Sequence, residues 1–159
     1  MKIREKEVKD QPWIKRLLNE RWGAEGQVVV HGEIFDAETL PAIIAGEEEG
    51  LATYQIRTAN EGKVAELITL DALSSGHGVG TALIEGLLSK LHSEGVKLLR
   101  VTTTNDNLDA LRFYQRRGFR IVAVRPGAVD ESRRIKPSIS TVGEYGIPVR
   151  DEIELERQI

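Results

Sequence analysis

A chain of 159 residues with 40% hydrophobic and 30% charged side chains has the length and composition of one soluble globular domain. Its formal charge of −3 offers no electrostatic basis for general binding to nucleic acid or to an anionic membrane surface. The absence of cysteine excludes disulfides, thiolate-ligated zinc and a cysteine nucleophile. The first residues carry no apolar signal core, and no run approaches the roughly 18 apolar residues of a membrane span. The expectation is a single cytoplasmic domain over residues 1–159.

In chain order, residues 2–8 alternate weakly and suit an edge strand. Asp10 is placed to cap a helix, Pro12 is tolerated in its first turn, and Trp13, Ile14, Leu17 and Leu18 form its apolar stripe. Gly23 and Gly26 stop that helix. Residues 27–31 read as a short strand, and residues 32–41 as turn-like. The apolar run 42–45 and the alternating run 51–57 flank an acidic hairpin tip, Glu47–Glu49. Asn60-Glu61-Gly62 turns the chain into a third strand, residues 63–70. Three consecutive antiparallel strands result.

Residues 65–70 then lead through Ser74-Ser75-Gly76-His77-Gly78-Val79-Gly80 into a helix-periodic stretch carrying Val79, Leu83, Leu87 and Leu91. A strand, a glycine-rich turn and a helix start together make an anion cradle. Glycine lets the backbone approach a ligand, and the first helical amides lack intrahelical partners. A phosphate-bearing ligand is the first functional expectation, although three glycines can also simply join a strand to a helix. The dinucleotide fingerprint fails because Leu83 stands where its third glycine belongs, and the Walker loop fails for want of a following lysine.

Residues 96–103 form the next strand, parallel to its predecessor by a right-handed crossover. Asn105-Asp106-Asn107 caps a second helix, residues 108–117, on which Leu108, Leu111 and Tyr114 share a face. Gly118-Phe119 has the form of a helix C-terminal glycine followed by an apolar residue. Residues 119–124 read as a strand, 127–136 as a short helix or covering loop, and 149–156 as the strand that closes the sheet.

The stretch from Asn107 to Phe119 reads N-x-x-A-x-x-x-Y-x-x-x-G-F. With the turn Ser75–Gly80 some thirty residues earlier, it resembles the GNAT superfamily of acetyl-coenzyme-A-dependent N-acetyltransferases. The resemblance implies an α+β fold: a mixed, mostly antiparallel sheet, flanked by helices, with one splayed parallel strand pair. It implies that acetyl-CoA lays its diphosphate on the backbone of Gly76, His77, Gly78, Val79, Gly80 and Thr81. Ser75 departs from the family's Gln or Arg at the start of that loop. The pantetheine arm would enter between residues 66–70 and 98–103, bonding to backbone near Ile68 and Leu70 and to Asn107. The Leu70 amide would polarise the acetyl carbonyl.

Tyr114 matches the family's proton donor to the departing thiolate. A phenol keeps its proton at neutral pH, and a packed core aromatic is the alternative. Glu66 is the candidate base, directly or through water. Strict alternation would place it on one face with Ile68 and Leu70, and an exposed strand charge is the alternative. His31, Glu33 and Arg133 are candidate acceptor-binding residues. Arg133, Arg134 and Lys136 could also hold the cofactor's 3′-phosphate or simply form a solvated loop. His77 would face solvent or phosphate, and His92 the surface. The expected reaction is acetyl transfer to an amine of a small molecule or peptide by direct attack in a ternary complex, with no metal, in a monomer or homodimer. A non-catalytic CoA-binding sensor and a nucleotide-phosphate enzyme are the alternatives.

Overall fold

The computed structural model describes residues 1–60, 62–74 and 76–159. Glu61, expected in the second hairpin, and Ser75, expected in the cofactor loop, lie outside the described residues. The elements are β1 (Ile3–Glu5), α1 (Gln11–Trp22), β2 (Gln27–Val30), β3 (Glu33–Asp36), β4 (Ala42–Ala45), β5 (Gly50–Ala59), β6 (Gly62–Ala72), α2 (Val79–Ser93), β7 (Val96–Thr104), α3 (Leu108–Arg116), β8 (Arg120–Arg125), α4 (Ala128–Ile135) and β9 (Glu152–Gln158). Seven strands form a mixed sheet ordered β1-β4-β5-β6-β7-β9-β8, and β2 pairs with β3. The βαβ step supplies the expected parallel neighbours, β6 and β7.

The chain divides into two compact units: Met1–Val28 with Asp36–Leu99 and Ile159, and Val29–Phe35 with Arg100–Gln158. In the first, β4, β5 and β6 form an antiparallel meander with β1 on the edge. Gly50 is required by packing here. A Cβ on it would come within 2.5 Å of Val79 Cγ1 and 3.0 Å of Leu83 Cδ1, so its bare face lets α2 settle on the meander. Ile14, Leu18, Leu51, Leu83, Leu87 and Leu91 are fully enclosed.

Asp10 stands at the start of α1 as expected, but its carboxylate does not cap that helix. It accepts from the Glu7 amide at 2.7 Å and from Arg4 Nη1 and Nη2 at 2.8 and 2.9 Å. The Arg4 hydrogen bond holds the carboxyl below the ordinary 3.8, at about 2. A group depressed in the folded state stabilises it above the unfolded pKa, and that contribution is lost as pH falls through the folded value. We predict that Asp10→Asn lowers stability by about 2 kcal/mol near neutrality and by little near pH 2. Urea midpoints measured down that range check it; a loss independent of pH would contradict the assignment.

In the second unit β8 and β9 pair antiparallel. Asn107 Oδ1 accepts from Ala110 N at 3.2 Å and caps α3 as expected. The helix ends in a Schellman motif, with Phe119 N donating to Tyr114 O and Gly118 N to Gln115 O, each at 3.1 Å. Two expectations are corrected. Residues 33–36 are strand β3 rather than turn, because they pair with β2. The last strand does not close the sheet: β9 inserts between β7 and β8, leaving β8 at the edge.

Candidate active site

In the first unit one continuous segment carries most of the expected cofactor contacts. It runs along β6 through Glu66, Ile68 and Leu70, then through Gly76, His77 and Gly78, and into α2 at Val79, Gly80 and Thr81. Gly76 (φ +79°) and Gly78 (φ +74°) occupy the left-handed region, and a Cβ on either would meet nothing within 4 Å. The turn is therefore open on that side, while Val79 is buried and anchors it. The hydrogen-bond ladder of α2 begins with Ala82 N donating to Gly78 O at 2.9 Å. The amides of Val79 and Gly80 precede that rung at the positive end of the 15-residue helix. This is the geometry that receives a diphosphate.

The strand leading into the turn is not regular. Tyr54 pairs with Leu67 and Thr53 with Thr69, so Ile68 is an extra residue in a β-bulge. The bulge corrects the expected alternation. Partners across an antiparallel ladder share a face, so Glu66 lies with Gln55, and Thr69 with Thr53. Leu67 and Leu70 lie with Tyr54 and Ala52 on the opposite face. Glu66 and Leu70 do not share a face.

Glu66, Thr53, Thr69 and Asp71 form a buried polar row on one side of the meander. The Thr53 and Thr69 hydroxyls are 2.6 Å apart, and Asp71 Oδ2 accepts from Trp22 Nε1 at 3.0 Å. Burial pushes the Asp71 carboxyl up, partly offset by the Trp22 hydrogen bond and by Arg21. Asp71 was the residue missed by sequence reasoning in this unit. Its signal was an acid inside an otherwise apolar strand end.

The second unit holds the other expected residues. Tyr114 is 7% exposed on α3, with its ring edge-on to Phe113 at 5.3 Å and to Phe119 at 5.2 Å. Leu108, expected to share its face, is 45% exposed. His31 sits in the turn between β2 and β3 with φ +43°, a conformation unusual for a residue with a Cβ. What holds it there is Glu152, whose Oε2 and Oε1 accept from the His31 amide at 3.0 and 3.2 Å. Glu152 is buried and also accepts from Arg125 Nε at 3.0 Å. Arg125 reaches Glu154 at 2.9 Å and Thr102 at 3.2 Å as well. These carboxylates outweigh the burial that opposes the charge and raise the Arg125 pKa. Glu33 follows in β3.

Removing the Glu152 carboxylate takes away one of the two carboxylates that hold Arg125 and, with it, the acceptor of the His31 amide. We predict that Glu152→Ala costs about 3 kcal/mol in urea unfolding, the usual effect of deleting one partner of a buried pair. A loss within 0.5 kcal/mol, the range of ordinary surface changes, would contradict it.

Arg133 is held by backbone. Its guanidinium donates to the carbonyls of Ile139, Ser140 and Val149 at 3.1, 2.8 and 2.7 Å, and to Asp130 at 2.9 Å. It stitches α4 to the segment after it. Arg134 is on the surface beside Glu131 at 3.5 Å, and Lys136 is buried, with burial lowering its pKa. The three basic residues do not converge.

Residues 11–119 match the acetyltransferase (GNAT) family. The chain belongs to that family. The uncharacterised protein YdhI of Bacillus subtilis (strain 168) is 38% identical over 138 residues, spanning 87% of this chain and 86% of its own. A GNAT family acetyltransferase from Elizabethkingia anophelis, solved with acetyl-CoA bound, superposes with TM-score 0.65 at 20% identity over 76% of this chain and 77% of that one. Arabidopsis thaliana Naa50, in complex with the bisubstrate analogue CoA-Ac-MVNAL, superposes with TM-score 0.66 at 15% identity over the full length of both. The GNAT architecture accounts for the sheet order and for the position of the glycine turn between β6 and α2. No helix among the described residues is long and apolar enough to cross a membrane.

Proposed function

We propose that this GNAT protein moves an acetyl group from acetyl-CoA to an amine of a small-molecule or peptide acceptor, by direct attack in a ternary complex. The observation that carries the reading is the open turn at Gly76 and Gly78 running straight into the N-terminal end of α2. The amides at residues 76–81 would hold the diphosphate. Backbone at Ile68 and Leu70 and the amide of Asn107 would hold the arm, and the bulge at Ile68 supports this by freeing part of β6 from regular pairing. Acetyl-CoA supplies an activated acyl thioester. Glu66, directly or through water, would take a proton from the acceptor's ammonium group so that the free amine can attack, and Tyr114 would give one to the departing thiolate. The absence of cysteine favours direct attack over a covalent route. The acetyl-CoA and bisubstrate complexes of the structural neighbours support the same cosubstrate and an amine acceptor.

Thiol release from acetyl-CoA, followed over a panel of polyamines, amino acids, aminoglycosides and short peptides, tests this directly. The expected result is release that requires one class of amine. Acetyl-CoA binding with no release on any amine would replace the reading by a CoA sensor. Tighter binding of ATP than of CoA would replace it by a nucleotide enzyme.

A further inference from the structure

In the first unit, Trp13, Arg16, Leu17, Glu20 and Arg21 of α1 and Leu73, just past the end of β6, line a cleft of about 320 Å³. Their spacing along α1 makes one stripe of that helix. Trp13 and Leu17 are 8% and 5% exposed and give the cleft an apolar floor, which Leu73, at 38%, carries to the surface. Arg16, Glu20 and Arg21 are exposed at its rim. We propose that this cleft selects the acceptor, taking the carboxylate of a small amine between Arg16 and Arg21 and its apolar part on Trp13, Leu17 and Leu73. The inference rests on the acetyl-transfer reading and narrows its acceptor to amines that carry a carboxylate.

Charge argues for that occupant first. Arg4, Arg100 and Arg125 are each bound by a carboxylate, and Arg133 by backbone as well. Arg16, Glu20 and Arg21 have no hydrogen-bond or ion-pair partner among the described residues. Arg16 and Glu20 stand four positions apart, the spacing at which a helix surface pair can close, and they do not close. The charge of Arg21 is felt at Asp71, but one Asp71 oxygen accepts from Trp22 Nε1 at 3.0 Å. Two guanidiniums and one carboxylate leave the rim one positive charge in excess, which a single carboxylate cancels. The planar guanidinium fork matches that group with paired N–H donors.

Size and position agree. The cleft is at the small end of the range for small-molecule sites, roughly 300–1,000 Å³, and suits an amino acid better than a length of peptide. Trp22, the last residue of α1, bonds to Asp71, the neighbour of Leu70, whose amide is proposed to polarise the acetyl carbonyl. Leu73 lies three residues beyond Leu70, no more than about 10 Å of extended chain. One small molecule can therefore place its carboxylate in the cleft and its amine toward the acetyl group.

The test is thiol release from acetyl-CoA by the full chain with amines matched except for the carboxylate: lysine against cadaverine, ornithine against putrescine, phenylalanine against phenethylamine. The expected result is a preference of about tenfold or more in kcat/KM for the carboxylate member of a reacting pair. Arg16→Gln and Arg21→Gln should each raise KM for that acceptor by about tenfold or more with kcat held, and so erase the preference. Lys15→Gln, an exposed change on α1 outside the cleft, should keep it. All three side chains are exposed, so Tm should move little. Release indifferent to the carboxylate, release confined to acceptors without one, or a preference that survives both arginine changes would overturn this inference and leave acetyl transfer standing. No release with any amine would overturn both.

Discussion

Replacing Gly78 by alanine should weaken acetyl-CoA binding about 10- to 100-fold, whereas replacing Gly95 by alanine should leave it unchanged. The two glycines are matched. Each has positive φ (+74° and +77°), and each would place a Cβ where nothing lies within 4 Å. Left-handed backbone costs a residue with a Cβ roughly 1–2 kcal/mol, so both variants should lose similar Tm. The difference lies in what the Cβ meets when ligand arrives. At Gly78 it stands among the amides proposed to hold the diphosphate; at Gly95 it follows the C-terminal end of α2. Isothermal titration separates ligand exclusion from backbone strain. Equal Kd values for Gly78→Ala and wild type would remove the turn from the binding site.

The second large effect is expected at Tyr114. Tyr114→Phe should lower kcat about 10²- to 10³-fold, within the usual range for loss of a positioned acid or base. KM should barely change, because phenylalanine keeps the edge-on contacts with Phe113 and Phe119. The pH dependence supplies a second readout. The alkaline limb of the kcat profile that reports the phenol should vanish in the variant. A kcat equal to wild type would make Tyr114 a packing residue of α3 and leave the thiolate to solvent.

The readable parts of this site were those whose physics is local. Gly76 and Gly78 announce a left-handed turn because few other residues tolerate it. Asn107 announces a helix start, and Gly118-Phe119 its end, and all three were legible from neighbours within a few positions. What sequence hid is non-local. The bulge at Ile68 is fixed by the pairing with Thr53 and Tyr54 of another strand, and its one local trace, the adjacent apolar residues Leu67 and Ile68 between Glu66 and Thr69, does not by itself tell a bulge from a buried strand. Glu152 fixes the His31 turn from 121 positions away. Its alternation with Ile153 and Leu155 marked a strand but not the partner. Arg133 looked available because arginine usually lies on the surface, yet three bonds to the chain after α4 and one to Asp130 within it hold it. The interior place of β9 is a matter of strand order, which no local pattern encodes.

The central claim is that a diphosphate rests on the backbone between β6 and α2. A crystal structure of the chain with coenzyme A bound tests it most directly. The account predicts pyrophosphate oxygens within hydrogen-bond reach of the amides of residues 76–81. Coenzyme density with its diphosphate anywhere else, and that turn left bare, would contradict it.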